Sequence, residues 1–301
     1  MNDVVDDATS ARNPGSVDII ALAARRRKQA LASGALQPIR TTRTWIEQDG
    51  LRFPVKWIDS LVRKHHAGQT PTDPFAAPEP DLLVCSAGAR HWILLNKFPV
   101  LDHHLLVVSR GFVEQSQPLE PHDFAAILPL VRDHGGLAFY NGDRIAGASQ
   151  RHRHLQWIPR DDEAALPLLA GLEASADAGH GRCTQWPYHH WIAPLPPSTW
   201  TAADASSALH DRYAEGCRAL YLSGADAGAY NLLITRTAML LVRRARESAE
   251  GISINALGFA GSFFVGRAER LDTVQRLTPF GILRAVGCPW PSGGLGDGRP
   301  G

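Results

Sequence analysis

The run Gly147-Ala148-Ser149-Gln150-Arg151-His152-Arg153-His154-Leu155-Gln156-Trp157-Ile158-Pro159 carries the most chemical information in the chain. Successive side chains of a strand point to opposite faces. A strand from His152 to Ile158 therefore sets His152, His154 and Gln156 on one face, with Arg153, Leu155 and Trp157 on the other. Two imidazoles and a carboxamide each need a partner that an apolar core does not supply, so the row suits a pocket wall. The glycine-flanked segment before it, with Ser149 and Gln150, can present backbone and side-chain donors to phosphate oxygens.

Pattern alone leaves three readings open. The histidines could join further ligands around zinc, although Gln156 is a poor zinc ligand and no cysteine lies near in sequence. They could be incidental residues of a surface strand. Or one could be a covalent nucleophile towards phosphorus. Imidazole is largely neutral near pH 7 and forms a phosphoramidate that a second nucleophile cleaves.

Working outward, short apolar runs at 81–85, 91–97, 103–109 and 137–141 read as strands. Pro121 opens a helix over 122–134 that Pro129 is expected to kink or shorten. Beyond the central run, 161–181 suits a helix and a connection, and 203–223 a second helix. Strands are expected at 188–193 (stopping at Pro194), 230–235, 239–243 and 252–265, with a last short element at 280–286. Towards the N-terminus, residues 1–15 read as a frayed leader. Ser16 is expected to cap a helix over 17–33 whose Arg25, Arg26, Arg27 and Lys28 form a solvated face. The pattern over 39–64 is mixed, and Pro71, Pro74, Pro78 and Pro80 mark a loop. Residues 291–301 read as a loose tail. A strand–turn–strand phrase at 93–110 recurs at 231–244, which fits either two similar halves, 16–181 and 182–290, or a chance likeness of two β-hairpins.

The chain has 301 residues, 44% hydrophobic and 20% charged, enough apolar material for a sizeable core. Its net charge of +1 gives no support to a duplex-binding or polybasic membrane role. Neither a spanning apolar run nor a secretory signal is evident, and Cys85, Cys183, Cys217 and Cys288 never form a C-x-x-C pair. Reduced thiols and a cytoplasmic setting are the expectation. The neighbouring pairs His65-His66, His103-His104 and His189-His190 read as surface or partly buried residues without a site role, and Lys64 by itself as solvated.

H-x-H-x-Q after G-x-S-Q resembles the histidine-triad superfamily, and Gln156 in the third place resembles its nucleotidyltransferase branch. Further phrases narrow the resemblance: Asp73-Pro-Phe, Leu94-Leu-Asn-Lys-Phe-Pro-Val100 leading into Leu105-Leu-Val-Val108, Phe139-Tyr-Asn141, Tyr230-Asn-Leu-Leu-Ile-Thr235 and Ser253-Ile-Asn-Ala-Leu-Gly-Phe-Ala-Gly261. In order, from about Phe53 to about Val265, they resemble the diadenosine tetraphosphate phosphorylase (ATP adenylyltransferase) family.

The resemblance implies an α+β fold: a histidine-triad-like antiparallel sheet with flanking helices and two similar halves in one chain, hence a monomer. It implies that His154 is the nucleophile, that Gln156 binds the α-phosphate, and that the His152 carbonyl holds the Nδ1 proton of His154. Gly147, Ala148, Ser149 and Gln150 would cradle the phosphates, and Asn96 and Asn141 would contact the nucleotide. Lys64, Asn255, Ala256 and Leu257 would reach the polyphosphate. The implied reaction is phosphorolysis of diadenosine tetraphosphate to ATP and ADP, reversible, with no tightly bound cofactor and Mg2+ accompanying the polyphosphate. The alternatives are a transferase acting on a nucleoside diphosphate sugar and a non-catalytic dinucleotide sensor. The sequence departs from the family at Ser262, where a Met is common, and at Gly266, where a phosphate-contacting Lys is common and Arg267 stands next.

Overall fold

The computed structural model describes residues 18–58, 73–101, 103–160, 166–179, 181–223 and 228–291. The expected leader, Ser16, Lys64, the His65-His66 pair and most of the expected tail lie outside them.

An eight-stranded sheet, antiparallel throughout, organises the chain. Its strands are β3 (Leu83–Ala87), β4 (His91–Leu95), β5 (Leu105–Ser109), β6 (Leu137–Asn141), β7 (His154–Ile158), β8 (His190–Pro194), β9 (Tyr230–Ile234) and β10 (Ala238–Arg243). They lie in the order β3-β4-β5-β7-β6-β9-β10-β8. The halves meet where β6 pairs with β9, from Ala138↔Ile234 to Asn141↔Asn231. Counting outward from that seam, the β9–β10 hairpin occupies the place of β6–β7. The repeated phrase in the sequence sits instead on β4–β5 and β9–β10, so it does not mark equivalent positions.

Alternation along the strands separates two cores. Leu155, Trp157, Leu232, Ile234, Met239 and Leu241 join one, under α1 (Ile19–Ser33), α2 (Pro121–His134) and α5 (Ala205–Ala219). Phe139, Ile158, Leu233, Leu240 and Val242 join the other. That second core is covered by α3 (Leu168–Asp177), α6 (Ala256–Phe259), α7 (Leu271–Leu277) and α8 (Pro279–Val286). A smaller cluster of Phe75, Leu94, Leu106 and Val108 lies beside it. Paired residues share a face, so His154, opposite Val108, and Gln156, opposite Leu106 and Phe139, emerge between the small cluster and the second core. The short α4 (Pro197–Thr201) and the two-stranded β11 (Ser248–Ala249) and β12 (Ile252–Ser253) complete the elements around the main sheet.

Several local expectations are corrected. The mixed stretch at 39–64 is a hairpin, β1 (Thr41–Gln48) and β2 (Leu51–Ile58), whose turn residues Asp49 and Gly50 both have positive φ, as a tight primed turn requires. β13 (Phe263–Val265) adds to β2 in parallel. Helix α2 runs unbroken through Pro129 for 14 residues, because the carbonyl that Pro129 cannot bond belongs to exposed Ala125. β8 includes Pro194, which an edge strand tolerates. Asp18, not Ser16, caps α1 by accepting from the Ala21 amide. The expected strand at 252–265 is broken by α6, which Asn255 caps. β7 begins at His154; His152 makes only an isolated bridge to Glu114.

Candidate active site

His154 is 4% exposed. Its Nδ1 lies 2.8 Å from the His152 carbonyl oxygen. A carbonyl only accepts, so Nδ1 carries the proton and Nε2 keeps its lone pair. Among the described residues Nε2 has no hydrogen-bond partner. Burial drives the pKa down to about 4, against the upward pull of the His152 carbonyl. The ring is neutral at physiological pH and packs 5.2 Å from Phe75.

The His152 ring does not face the cleft as a second reactive group. Its Nδ1 meets Asp73 Oδ2 at 2.7 Å and its Nε2 meets the Ser109 carbonyl at 2.7 Å. Phe75 and Phe112 pack edge-on against it. His152 acts on His154 through its carbonyl, held by these side-chain anchors.

Gln156 is oriented by a chain that starts at an unambiguous donor. The Phe98 backbone N–H reaches Asn96 Oδ1 at 3.2 Å, so Asn96 Nδ2 is the end facing His104 Nδ1, 3.1 Å away. The remaining His104 nitrogen, Nε2, then carries the proton and donates to Gln156 Oε1 at 2.8 Å. Burial holds His104 near a pKa of about 4 and therefore neutral, despite the bond to Gln156. The Gln156 amide nitrogen is left without a partner among the described residues, available as a donor. His104, expected to have no site role, thus belongs to the site. Asn96 is committed on both ends of its carboxamide within the protein.

The loop before β7 is built on the C-terminal half. Asp143 caps a short 3-10 turn, Arg144–Ala146, and Gly147 follows with φ +91°. A Cβ at Gly147 would stand 2.8 Å from both Cα and Cβ of Asn255. Asn141 Oδ1 accepts from Asn231 Nδ2 and from the Ala256 N–H, each at 2.9 Å. Buried Arg244 donates to Asn231 Oδ1 at 2.6 Å and to the Ala146 carbonyl at 3.2 Å. Burial lowers the Arg244 pKa to about 10, leaving it charged beneath the loop. Asn141, Gly147 and the 255–257 turn are therefore one assembly. Ser149 is exposed, and Ala148 and Gln150 are half-buried. Gly266 and Arg267 are exposed beyond β13. Ser262 is buried with no partner for its hydroxyl among the described residues.

On the opposite face, Arg153 donates to Asp123 Oδ2 at 2.9 Å and His91 Nε2 meets Asp123 Oδ1 at 2.8 Å. Burial alone would raise the Asp123 pKa, but His91 and Arg153 hold it below the usual carboxylate value. His91, His122 and Asp123 bring three ligand atoms within 4.8 Å. Arg153 and the Glu120 amide already occupy Oδ2, and a cation there would face the guanidinium. The two histidines sit around the buried Arg153–Asp123 ion pair, His122 half-buried, and the trio is a poor metal site. No helix among the described residues is long and apolar enough to cross a membrane.

The antiparallel sheet thus presents a buried, neutral histidine with a carboxamide two residues further along the same strand. Residues 10–173 match the Ap4A phosphorylase N-terminal domain, and residues 184–289 the ATP adenylyltransferase C-terminal domain. Protein APA1 of Saccharomyces cerevisiae is 26% identical, over 92% of this chain and 96% of its own. Diadenosine 5',5'''-P1,P4-tetraphosphate phosphorylase 2 of the same yeast is 25% identical, over 79% of this chain and 80% of its own. The crystal structure of yeast Ap4A phosphorylase Apa2 in complex with Ap4A superposes with a TM-score of 0.75 at 23% identity, covering 91% of this chain and 98% of that one. The chain belongs to the Ap4A phosphorylase family.

Proposed function

We propose that this protein cleaves diadenosine tetraphosphate by phosphorolysis, releasing ATP and ADP, with His154 as the nucleophile. The observation that carries the reading is the pairing of a buried imidazole, fixed with its Nε2 lone pair free, with a Gln156 amide aimed outward as a donor. His154 Nε2 attacks one α-phosphorus. The bond from that phosphorus to the bridging oxygen breaks, ATP leaves, and an adenylyl-histidine remains. Phosphate then attacks the same phosphorus, the P–N bond breaks, and ADP leaves. Gln156 donates to the α-phosphate oxygens through both steps. Asn96 acts through His104, and His152 through its carbonyl. The Gly147–Gln150 loop and the Asn255–Leu257 turn, tied together by Asn141, hold the polyphosphate, and buried Arg244 places a positive charge beneath them. Lys64 adds a further cation. Mg2+ bound to the polyphosphate of the substrate would offset charge on the leaving group. The two halves already share one sheet, which supports action as a monomer.

The test is mass spectrometry of protein mixed with diadenosine tetraphosphate without phosphate, then product analysis after phosphate is added. An adenylyl adduct on His154 that phosphate converts to ADP is the expected result. His154→Ala should show no adduct and no turnover while still folding. Substantial turnover in that variant would overturn the assignment.

A further inference from the structure

The β6–β7 ladder stops two residues short of the reactive histidine. Pairing runs Leu137↔Ile158, Ala138↔Trp157, Phe139↔Gln156 and ends there. Continued register would set Asn141 opposite His154. Instead, the side chain of Gln115 occupies the gap, 39 residues upstream of His154. Its Oε1 accepts from the His154 N–H at 2.8 Å. Its Nε2 donates to the Asn141 carbonyl at 2.9 Å and to the His154 carbonyl at 3.2 Å. The carboxamide orientation is unambiguous, because a backbone amide only donates and the two carbonyls only accept.

Gln115 is itself clamped. It is 3% exposed, its N–H donates to the Arg151 carbonyl at 2.6 Å, and its own carbonyl accepts from the Tyr140 hydroxyl. One side chain thus does the work of a missing strand partner. A closed ladder would bring the Asn141 and His154 backbones to about 5 Å and seal the space between them. An open ladder with nothing in it would leave the buried His154 peptide unpaired and free to rotate. Rotation there moves the imidazole relative to the His152 carbonyl, the contact that sets its tautomer.

We propose that Gln115 is a positioning residue for His154, a clasp that holds the strand open at the reactive residue while fixing its backbone. The proposal rests on His154 being the nucleophile. It predicts an effect on the rate of adduct formation rather than on substrate affinity.

Two variants test it. In Gln115→Glu the side chain keeps its shape and its acceptor for the His154 N–H. Ionised, it has no donor for either carbonyl; protonated, it regains one. Burial opposite two carbonyls raises its pKa. Adduct formation in Gln115→Glu should rise about tenfold relative to wild type as pH falls from 8 to 5, with KM within about threefold of wild type. Gln115→Met should be slowed about tenfold or more at every pH. Wild-type rates in Gln115→Met, or a pH profile of Gln115→Glu parallel to wild type, would overturn the proposal. Should Gln115→Met fail to fold, Gln115→Glu decides alone, and its failure to recover at low pH counts against the clasp. The wild-type control separates the two readings: no adduct on His154 in wild type overturns the nucleophile assignment, whatever the variants do.

Discussion

His104 Nε2 and Gln156 Oε1 stand 2.8 Å apart, and that bond decides which end of the carboxamide faces the cleft. With Oε1 held, the amide nitrogen is the free end of the carboxamide, the end that would donate to a substrate phosphate. The direction of the bond is set two steps away, by Asn96 donating to His104 Nδ1. Asn96→Leu should therefore lower kcat about tenfold, the scale of one lost hydrogen bond. His104→Ala, which frees Gln156 directly, should lower it further. Steady-state phosphorolysis rates, with melting temperature as a control, are the measurement. Unchanged kcat in both variants would remove these residues from the site.

Acid should weaken the fold in a defined window. Burial lowers His104, His154 and His190 from the ordinary 6.5 to about 4. The unfolded chain then binds protons first as pH falls. Their contribution to stability is complete above about 6.5, declines between about 6.5 and 4, and is gone below. Each depression is worth roughly 3 kcal/mol, a large share of a typical domain's stability. Denaturant midpoints from pH 8 to 4 should fall steeply below 6.5, and His190→Gln should make the fall shallower. A flat profile down to pH 4.5 would contradict the burial of these rings. By the same sign, His154 remains neutral and nucleophilic well below pH 6, so adduct formation should persist to about pH 5.

The sequence made the face of β7 legible because alternation is local: Leu155 and Trp157 enter the core beneath α2, and His154 and Gln156 the opposite side. What supports that face was not legible. His104 is 52 residues from Gln156 and Gln115 is 39 from His154, and only the sheet order brings them together. His104 carried a weak local signal, lying immediately before β5, the strand beside β7, but its neighbour His103 made the two read as surface residues. The first hairpin had its sign in Asp49-Gly50, yet Pro54 within β2 obscured the strand pattern. Helix α6 hid inside the apolar run at 252–265, read as strand, because four residues are too few to show a helical period.

Gly147→Ala should separate cradle from nucleophile. At φ +91° an added Cβ is strained, and it would press on backbone and side-chain atoms of Asn255 at 2.8 Å. Neither neighbour is the far end of a flexible side chain, so the loop or the 255–257 turn must move. The expected result is at least a tenfold loss in kcat/KM, with KM rising, in a protein that still folds. If KM and kcat match wild type, the loop does not hold the polyphosphate.

The last prediction concerns the acceptor. Gln156 cannot act as a general acid or base near neutral pH, because a carboxamide neither gains nor loses a proton there. Water attacking adenylyl-His154 therefore finds no base at the third position of the motif, whereas phosphate arrives as an anion and needs none. His104 does not fill the role: its Nε2 proton is committed to Gln156 and its Nδ1 to Asn96. The adduct should persist in water and collapse when phosphate is added, with ADP rather than AMP as product. Gln156→His restores a titratable ring at that place and should raise AMP relative to ADP, even if its bulk lowers both rates. The product ratio at varied phosphate decides. Rapid AMP release by wild type, independent of phosphate, would replace the transferase reading with a hydrolase.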